Sequence, residues 1–443
     1  MTFSRFLRFK DQKLLKKMVE INILVKNIKA LINPASNSVV RGNDLNSIKI
    51  SHDVWVGASG EYVSFIGHQA DFQKNCRLSK DAVVIDGSDY VAFPGLIDPH
   101  THLPFAGTRQ DEFRLKLQGV SYQEIAEKGG GIRGTVQKTR EIHYHDLINQ
   151  CEHRLDQILA TGTTTLEAKS GYGLDEDTEL KQLEVIKALD SFHPVDLVPT
   201  FMGAHEIPEK YRGKNREFLE FLVARVMPKV RERNLAEFID IFCESGYFSY
   251  EEAEYYINRA LENSFKIKIH ADEFSSNNAA LLAVDKKAVS AEHLIAMTDA
   301  EIEAISASET ACIFLPGVSF FLKMRKYAPV RKVIDKNGIV ALGTDFNPGS
   351  SMISSQLFIF YLGVYQLGLT IEEAINTVTI NAAYAIDRQN TVGSIAVGKK
   401  MDILLMDIPD YCYLAYHIGM NPIHTVIKSG EVVLKEKKLV YAK

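Results

Sequence analysis

The chain has no apolar run near the roughly 20 residues that a membrane span needs, no Cys-x-x-Cys pair and no marked excess of one charge. The first lack argues against a membrane-spanning protein. The five cysteines, Cys76, Cys151, Cys243, Cys312 and Cys412, are scattered and odd in number. That excludes a thiolate zinc cage and suits free thiols in a reducing cytoplasm. A formal net charge of -5 over 443 residues gives no global pull toward nucleic acid or a membrane surface, so anion recognition has to come from a local site. The run Gly129-Gly130-Gly131 lacks the Lys-Ser/Thr and the strand-to-helix context of a phosphate loop. It reads as a mobile loop beside a site.

What is present points to a folded α/β protein. Hydrophobic residues make up 46% and charged residues 24%, a globular balance. The length exceeds one ordinary compact domain unless that domain is a large barrel. Residues 1–20 carry Arg5, Arg8, Lys10, Lys13, Lys16 and Lys17 without the apolar core of a secretory signal, and read as an extension ahead of the fold. Residues 21–93 are strand-like throughout, with runs such as Ile21–Lys26, Asp53–Gly57 and Tyr62–Gly67 broken by turns. The same texture returns over 390–443, in Gly393–Gly398, Asp402–Asp407, Val426–Gly430 and Val432–Leu434. The stretch between alternates apolar strands with helical patterns. Strands are expected at 94–100, 162–168, 195–202, 237–243, 265–270, 287–292, 310–315 and 338–344, with helices at 175–190, 215–233, 249–263 and 352–368. Eight βα units imply a closed (β/α)8 barrel over 94–389. The chain ends would pair as one small β-sandwich domain, 21–93 plus 390–443, into which the barrel is inserted.

Chemistry in such barrels collects where the strands end. The first strand stops in His100-Thr-His102, whose side chains share a face because strand positions i and i+2 do. Two imidazoles in one space suit a divalent metal. Later strand ends supply His270, His293 and Asp345, completing three or four N/O ligands with room for water. Asp345 has an alternative reading as the N-cap of the next helix. Glu273, three residues past His270, can move protons, and His293 is either a further ligand or an acid/base beside the site. Lys169 closes the second strand, where a salt bridge is the default.

These residues sit in blocks that resemble a known family. The His-x-His, His, His, Asp skeleton resembles the amidohydrolase superfamily. Within it, the blocks Asp98–Phe113, Lys128–Arg133, Glu167–Leu174, Gly203–His205, His270–Glu273 and Gly343–Ser350 resemble the imidazolonepropionase family. The resemblance runs from about Ile21 to the C-terminus. It implies hydrolysis of the cyclic amide C–N bond of 4-imidazolone-5-propanoate to N-formimidoyl-L-glutamate in histidine degradation. One Zn2+ or Fe2+/Fe3+ per subunit would be held by His100, His102, His270 and Asp345. Arg109, Tyr172, His205, Glu273, Asn347, Gly349 and Ser350 match the family's substrate contacts, and an arginine fork suits the propionate. His205 would polarise a ring oxygen or bind the carboxylate. The catalytic acids and bases are Glu273, His293 and Asp345, with the general base left open among them. The resemblance also implies a cytoplasmic homodimer with no nucleic-acid or membrane partner. Strand four ends Ile241-Phe-Cys-Glu244 without the lysine that bridges two metals in some relatives, which favours one metal. Two rival readings stand. A cytosine- or guanine-type deaminase shares the skeleton but has no carboxylate for Arg109 to pair, and a non-catalytic scaffold would have lost ligands.

Overall fold

A computed structural model describes residues 18–119 and 130–441. The basic stretch up to Lys17, as well as Lys128 and Gly129, lies outside the described residues. Eight parallel strands follow one another around a single sheet: β1 (Leu96–Asp98), β2 (Thr163–Lys169), β3 (Asp196–Ala204), β4 (Phe238–Cys243), β5 (Lys266–Ala271), β6 (Ser290–His293), β7 (Ala311–Phe314) and β8 (Val340–Leu342). β1, β2, β4, β6, β7 and β8 are buried at every position. A parallel sheet covered on both faces requires this, which is why the strands read as continuous apolar runs. Helices Glu176–Phe192, Tyr250–Glu262 and Gln356–Leu367 fall where the helical period predicts them. The expected helix over 215–233 is interrupted by a π turn at Leu222–Val226.

The barrel closes just beyond its strands. Thr101 bridges Phe346 in parallel register. His102 N donates to Phe346 O at 3.0 Å, and Asp345 N donates to His100 O at 3.0 Å. Closure thus runs through the backbone of the predicted ligands.

The chain ends form two further sheets. Four strands, Val19–Ile28, Val54–Ser59, Tyr62–Gly67 and Cys76–Asp86, make one. The other is seven-stranded and mixes both ends of the chain, with Ile403–Met406 antiparallel to Val91–Pro94. Ile23, Val25 and Val56 share a buried core with Ile403, Leu405 and Ile427.

Three local expectations change. Phe93 to His102 is not one strand. Val91–Pro94 belongs to the mixed sheet, while Leu96–Asp98 pairs with β2. Pro94 lacks a donor to continue a ladder, and Gly95 N turns to Asp402 O at 3.0 Å. Gly393–Gly398 forms no strand. Glycines with φ of 84° and 92° turn both of its ends, and Ile395 N is taken by Asn33 Oδ1 at 2.8 Å. A helix, Gln69–Asn75, sits inside the N-terminal β region. Seven residues are too few to show a helical period, and its Phe72 packs on Trp55 and Phe65.

Candidate active site

Past the end of β1 the chain places His100 and His102 on one face, as the two-residue period requires. Both are buried, as are His270 on β5 and Asp345 beyond β8. Their tips converge. His102 Nε2 lies 3.3 Å from His100 Nε2, 3.3 Å from His270 Nε2 and 3.1 Å from Asp345 Oδ1. His100 Nε2 is 3.2 Å from the same Oδ1. On the far side of the rings, His100 Nδ1 lies 2.7 Å from Glu292 Oε2 and His270 Nδ1 lies 2.9 Å from Asp240 Oδ2. Carboxylates facing Nδ1 draw a ring proton there, so that in the neutral ring the Nε2 lone pair points at the others.

Asp345 is not a helix cap, because Ser355 caps Gln356–Leu367. Its backbone is left-handed, at φ 52°, an uncommon conformation for aspartate that re-aims the carboxylate. Asn347 Nδ2 and Ser350 Oγ donate to its Oδ2 at 2.9 and 3.2 Å, whereas buried Oδ1 receives no hydrogen bond. Three converging imidazole nitrogens and an unsatisfied carboxylate oxygen fit a cation. Ions bound by imidazole and carboxylate at about 2.0–2.1 Å have tetrahedral ligand separations of about 3.3–3.4 Å, close to those found.

Burial holds His102 down at about 4. Burial and then neighbouring histidines keep His270 and His293 well below the usual imidazole value. His100 differs: burial alone would lower it, yet Glu292 holds it up at about 9. Burial would raise the Asp345 carboxyl, but the neighbouring His100 and His102 rings hold it well below the ordinary range.

A cavity of about 500 Å³ opens in front of these atoms, and every predicted site residue except His100 lines it. His100 lies behind, fully buried. At one end stands Arg109, whose Nε and Nη2 are held by Glu112 Oε2 at 2.9 and 2.8 Å. Its guanidinium lies so close over Gly349 that a Cβ there would strike Nη1. Glycine at 349 is thus a requirement of the arginine's position. At the opposite wall Gly171, at φ 121°, lets the Tyr172 loop pass the His205 ring, which a Cβ would meet at 3.1 Å. His205 stacks on His102 with centroids 4.8 Å apart. Its Nδ1 donates to Gly171 O at 3.1 Å, since a carbonyl can only accept. Burial holds the ring down at about 3, so it is neutral and offers Nε2 as an acceptor. That chemistry suits neither role expected for it, polarising a ring oxygen or binding the carboxylate.

Glu273 is almost fully buried, with Oε1 3.6 Å from His293 Nδ1. Burial, then the charge of Asp345, pushes its carboxyl well up. The loop that carries it is pinned by Glu244, whose Oε2 accepts from Phe274 N and Ser275 N at 2.9 and 3.4 Å. His293 has φ 70°, which turns its ring into the cavity although Glu292 before it faces the barrel interior. His100, His270 and His293 also bring one nitrogen each within 4.8 Å of one another. Sequence reasoning missed Glu292, Asp240 and Lys116, the last a second cation lining the cavity. For Glu292 the signal was present, a carboxylate two residues beyond Ser290 on a buried strand.

Comparison with known proteins bears on the family and the fold. Residues 91–433 match the model of the amidohydrolase family. The chain is 40% identical to an imidazolonepropionase of Alkaliphilus metalliredigens over 95% of its length and 100% of the relative's. It is 42% identical to one of Bacillus cytotoxicus, over 93% of this chain and 96% of that one. A triazine hydrolase variant shares the fold at TM-score 0.72 and 14% identity, covering 95% of this chain and 96% of that one. A zinc-bound adenosine deaminase of Xanthomonas campestris does so at TM-score 0.65 and 16% identity, covering 96% of each. At such identities the two structures speak for the fold alone.

Proposed function

The chain belongs to the imidazolonepropionases of the amidohydrolase family, and from that membership we propose how its site works. The reaction is hydrolysis of the cyclic C–N bond of 4-imidazolone-5-propanoate to N-formimidoyl-L-glutamate, a step of histidine degradation. The gathering of His100, His270 and Asp345 around His102 Nε2, beside a cavity that also holds Arg109, carries the residue-level reading.

His100, His102, His270 and Asp345 would hold one Zn2+ or Fe2+/Fe3+ per subunit. Such an ion supplies Lewis acidity, acidifying water and polarising the ring carbonyl. Arg109 pairs its guanidinium with the propionate, fixing which end of the substrate meets the ligands. Tyr172 stays a neutral phenol, because burial and Asp345 push its pKa upward, and can donate from Oη. His205 Nε2 accepts from a ring N–H. Glu273, whose carboxyl burial holds above the ordinary range, takes the attacking water's proton as the carboxylate and delivers it to the departing ring nitrogen. His293 Nδ1 faces that carboxyl at 3.6 Å. Asn347 and Ser350 hold Asp345 Oδ2 and so fix the direction of Oδ1, besides lining the substrate's path.

We place the protein in the cytoplasm as a homodimer, on the resemblance and on five free cysteines. No helix among the described residues is long and apolar enough to cross a membrane. The test is to resolve the products of metal-loaded protein given imidazolone propanoate, cytosine and guanine. Formimidoylglutamate from the first alone supports the reading, and ammonia from either nucleobase overturns it.

A further inference from the structure

Beneath the ligands lies a layer of buried charge that the hydrolytic reading leaves without a task. Lys169 Nζ, at the end of β2, is 2.8 Å from Glu167 Oε1, 2.8 Å from Asp240 Oδ2 and 3.1 Å from Glu292 Oε2. None of these side chains is exposed. Two of the contacted oxygens are those that face ligand rings: Asp240 Oδ2 stands 2.9 Å from His270 Nδ1, and Glu292 Oε2 stands 2.7 Å from His100 Nδ1. Each oxygen therefore lies between the ammonium and an imidazole. Lys268 closes the layer from β5, with Nζ 2.8 Å from Glu292 Oε1, 3.1 Å from Glu167 Oε2 and 3.0 Å from Pro99 O.

A lysine ammonium has three donors, and here three carboxylates take one each. Without it, three carboxylates would face one another around Lys268 alone, and repulsion would drive Asp240 and Glu292 apart. Their movement would turn the rings that depend on them, because partners on the far nitrogen set both the tautomer and the orientation of a ligating histidine.

We propose that Lys169 is a positioning residue of the metal centre. It pins the two carboxylate oxygens that aim His100 and His270, and so sets the direction of both Nε2 atoms. The proposal rests on the ligand set assigned above.

The test uses the full-length protein stripped of metal. Zn(II) affinity is measured by chelator competition, and the Co(II)-loaded absorption spectrum is recorded for Lys169→Met, Glu292→Gln, His270→Ala and wild type. The expected result is Zn(II) binding weakened about 10- to 100-fold in the first two variants, with shifted Co(II) bands. Should Lys169→Met fail to fold, Glu292→Gln keeps the volume and removes the charge through which the lysine acts. Wild-type affinity and spectrum in Glu292→Gln overturn the proposal, whatever happens to melting temperature. If His270→Ala also binds Zn(II) as wild type does, the ligand set itself is wrong and the proposal falls with it.

Discussion

Arg109 and Asp345 mark the two ends of the chemistry, and each makes a separable prediction. Replacing Arg109 by Met removes a charge-assisted pair worth about 1.5–3 kcal/mol. The expected outcome is kcat/KM lower by about 10- to 100-fold, chiefly through KM, with the metal content unchanged. Steady-state kinetics beside metal analysis checks this. Asp345→Asn instead should lose metal, with kcat/KM falling about three orders of magnitude or more if several kcal/mol of Lewis-acid stabilisation go with it. Among single residues, the proposed ligands stood out in the sequence because histidine and aspartate at strand ends have few other reasons to be there. The role of His205 was not. Its tautomer depends on the carbonyl of Gly171, which no local pattern reveals. Nor did spacing show that Asn347 and Ser350 would grip Asp345.

Strand ends do more here than stop. Asp272, His293 and Asp345 all have left-handed backbone, at φ 50°, 70° and 52°, and these turns carry the cavity-lining side chains of Glu273, His293 and Asp345. Such conformations cost of order 1–3 kcal/mol apiece and persist where the surroundings enforce them. Glu244, just past β4, is one enforcer. Glu244→Ala would leave Phe274 N and Ser275 N without their acceptor and loosen the Glu273 loop. The prediction is kcat lower by about 10-fold, metal affinity unchanged, and faster amide exchange over residues 272–277. Equal exchange in variant and wild type would refute that role. The eight strands were readable because both faces are buried, which makes the runs apolar. The charged layer under the ligands was not read, although Glu167 with Lys169 and Lys268 with His270 each show the two-residue spacing of a shared face. Charges inside an apolar run register as breaks in a pattern unless the barrel interior is already in view.

At the scale of the molecule, barrel and sandwich are tied by ion pairs as well as strands. Lys428 Nζ sits 2.7 Å from Asp402 Oδ2 of the mixed sheet and 2.7 Å from Asp196 Oδ2 at the start of β3. We propose the division of 21–93 plus 390–443 against 94–389 as the domain boundary, with Lys428 at its seam. Lys428→Met would leave Asp402 without its cation and Asp196 with Lys400 alone, and should cost about 3 kcal/mol, read as a lower melting temperature at neutral pH. The sign with pH follows from Asp196. Burial would raise its pKa, but Lys428 and Lys400 hold it below 3.8. The unfolded chain therefore takes up the proton first as pH falls, and the pair's contribution, complete above that value, disappears in acid. The gap between variant and wild type should narrow toward pH 3, and a constant gap would argue against the pairing. The most direct measurement of the whole account is the ultraviolet absorbance of freshly generated 4-imidazolone-5-propanoate, followed with metal-loaded, chelated and Asp345→Asn protein. Rapid loss with the first alone, ending in formimidoylglutamate without ammonia, is the predicted result. Equal rates before and after chelation, or ammonia among the products, would contradict it.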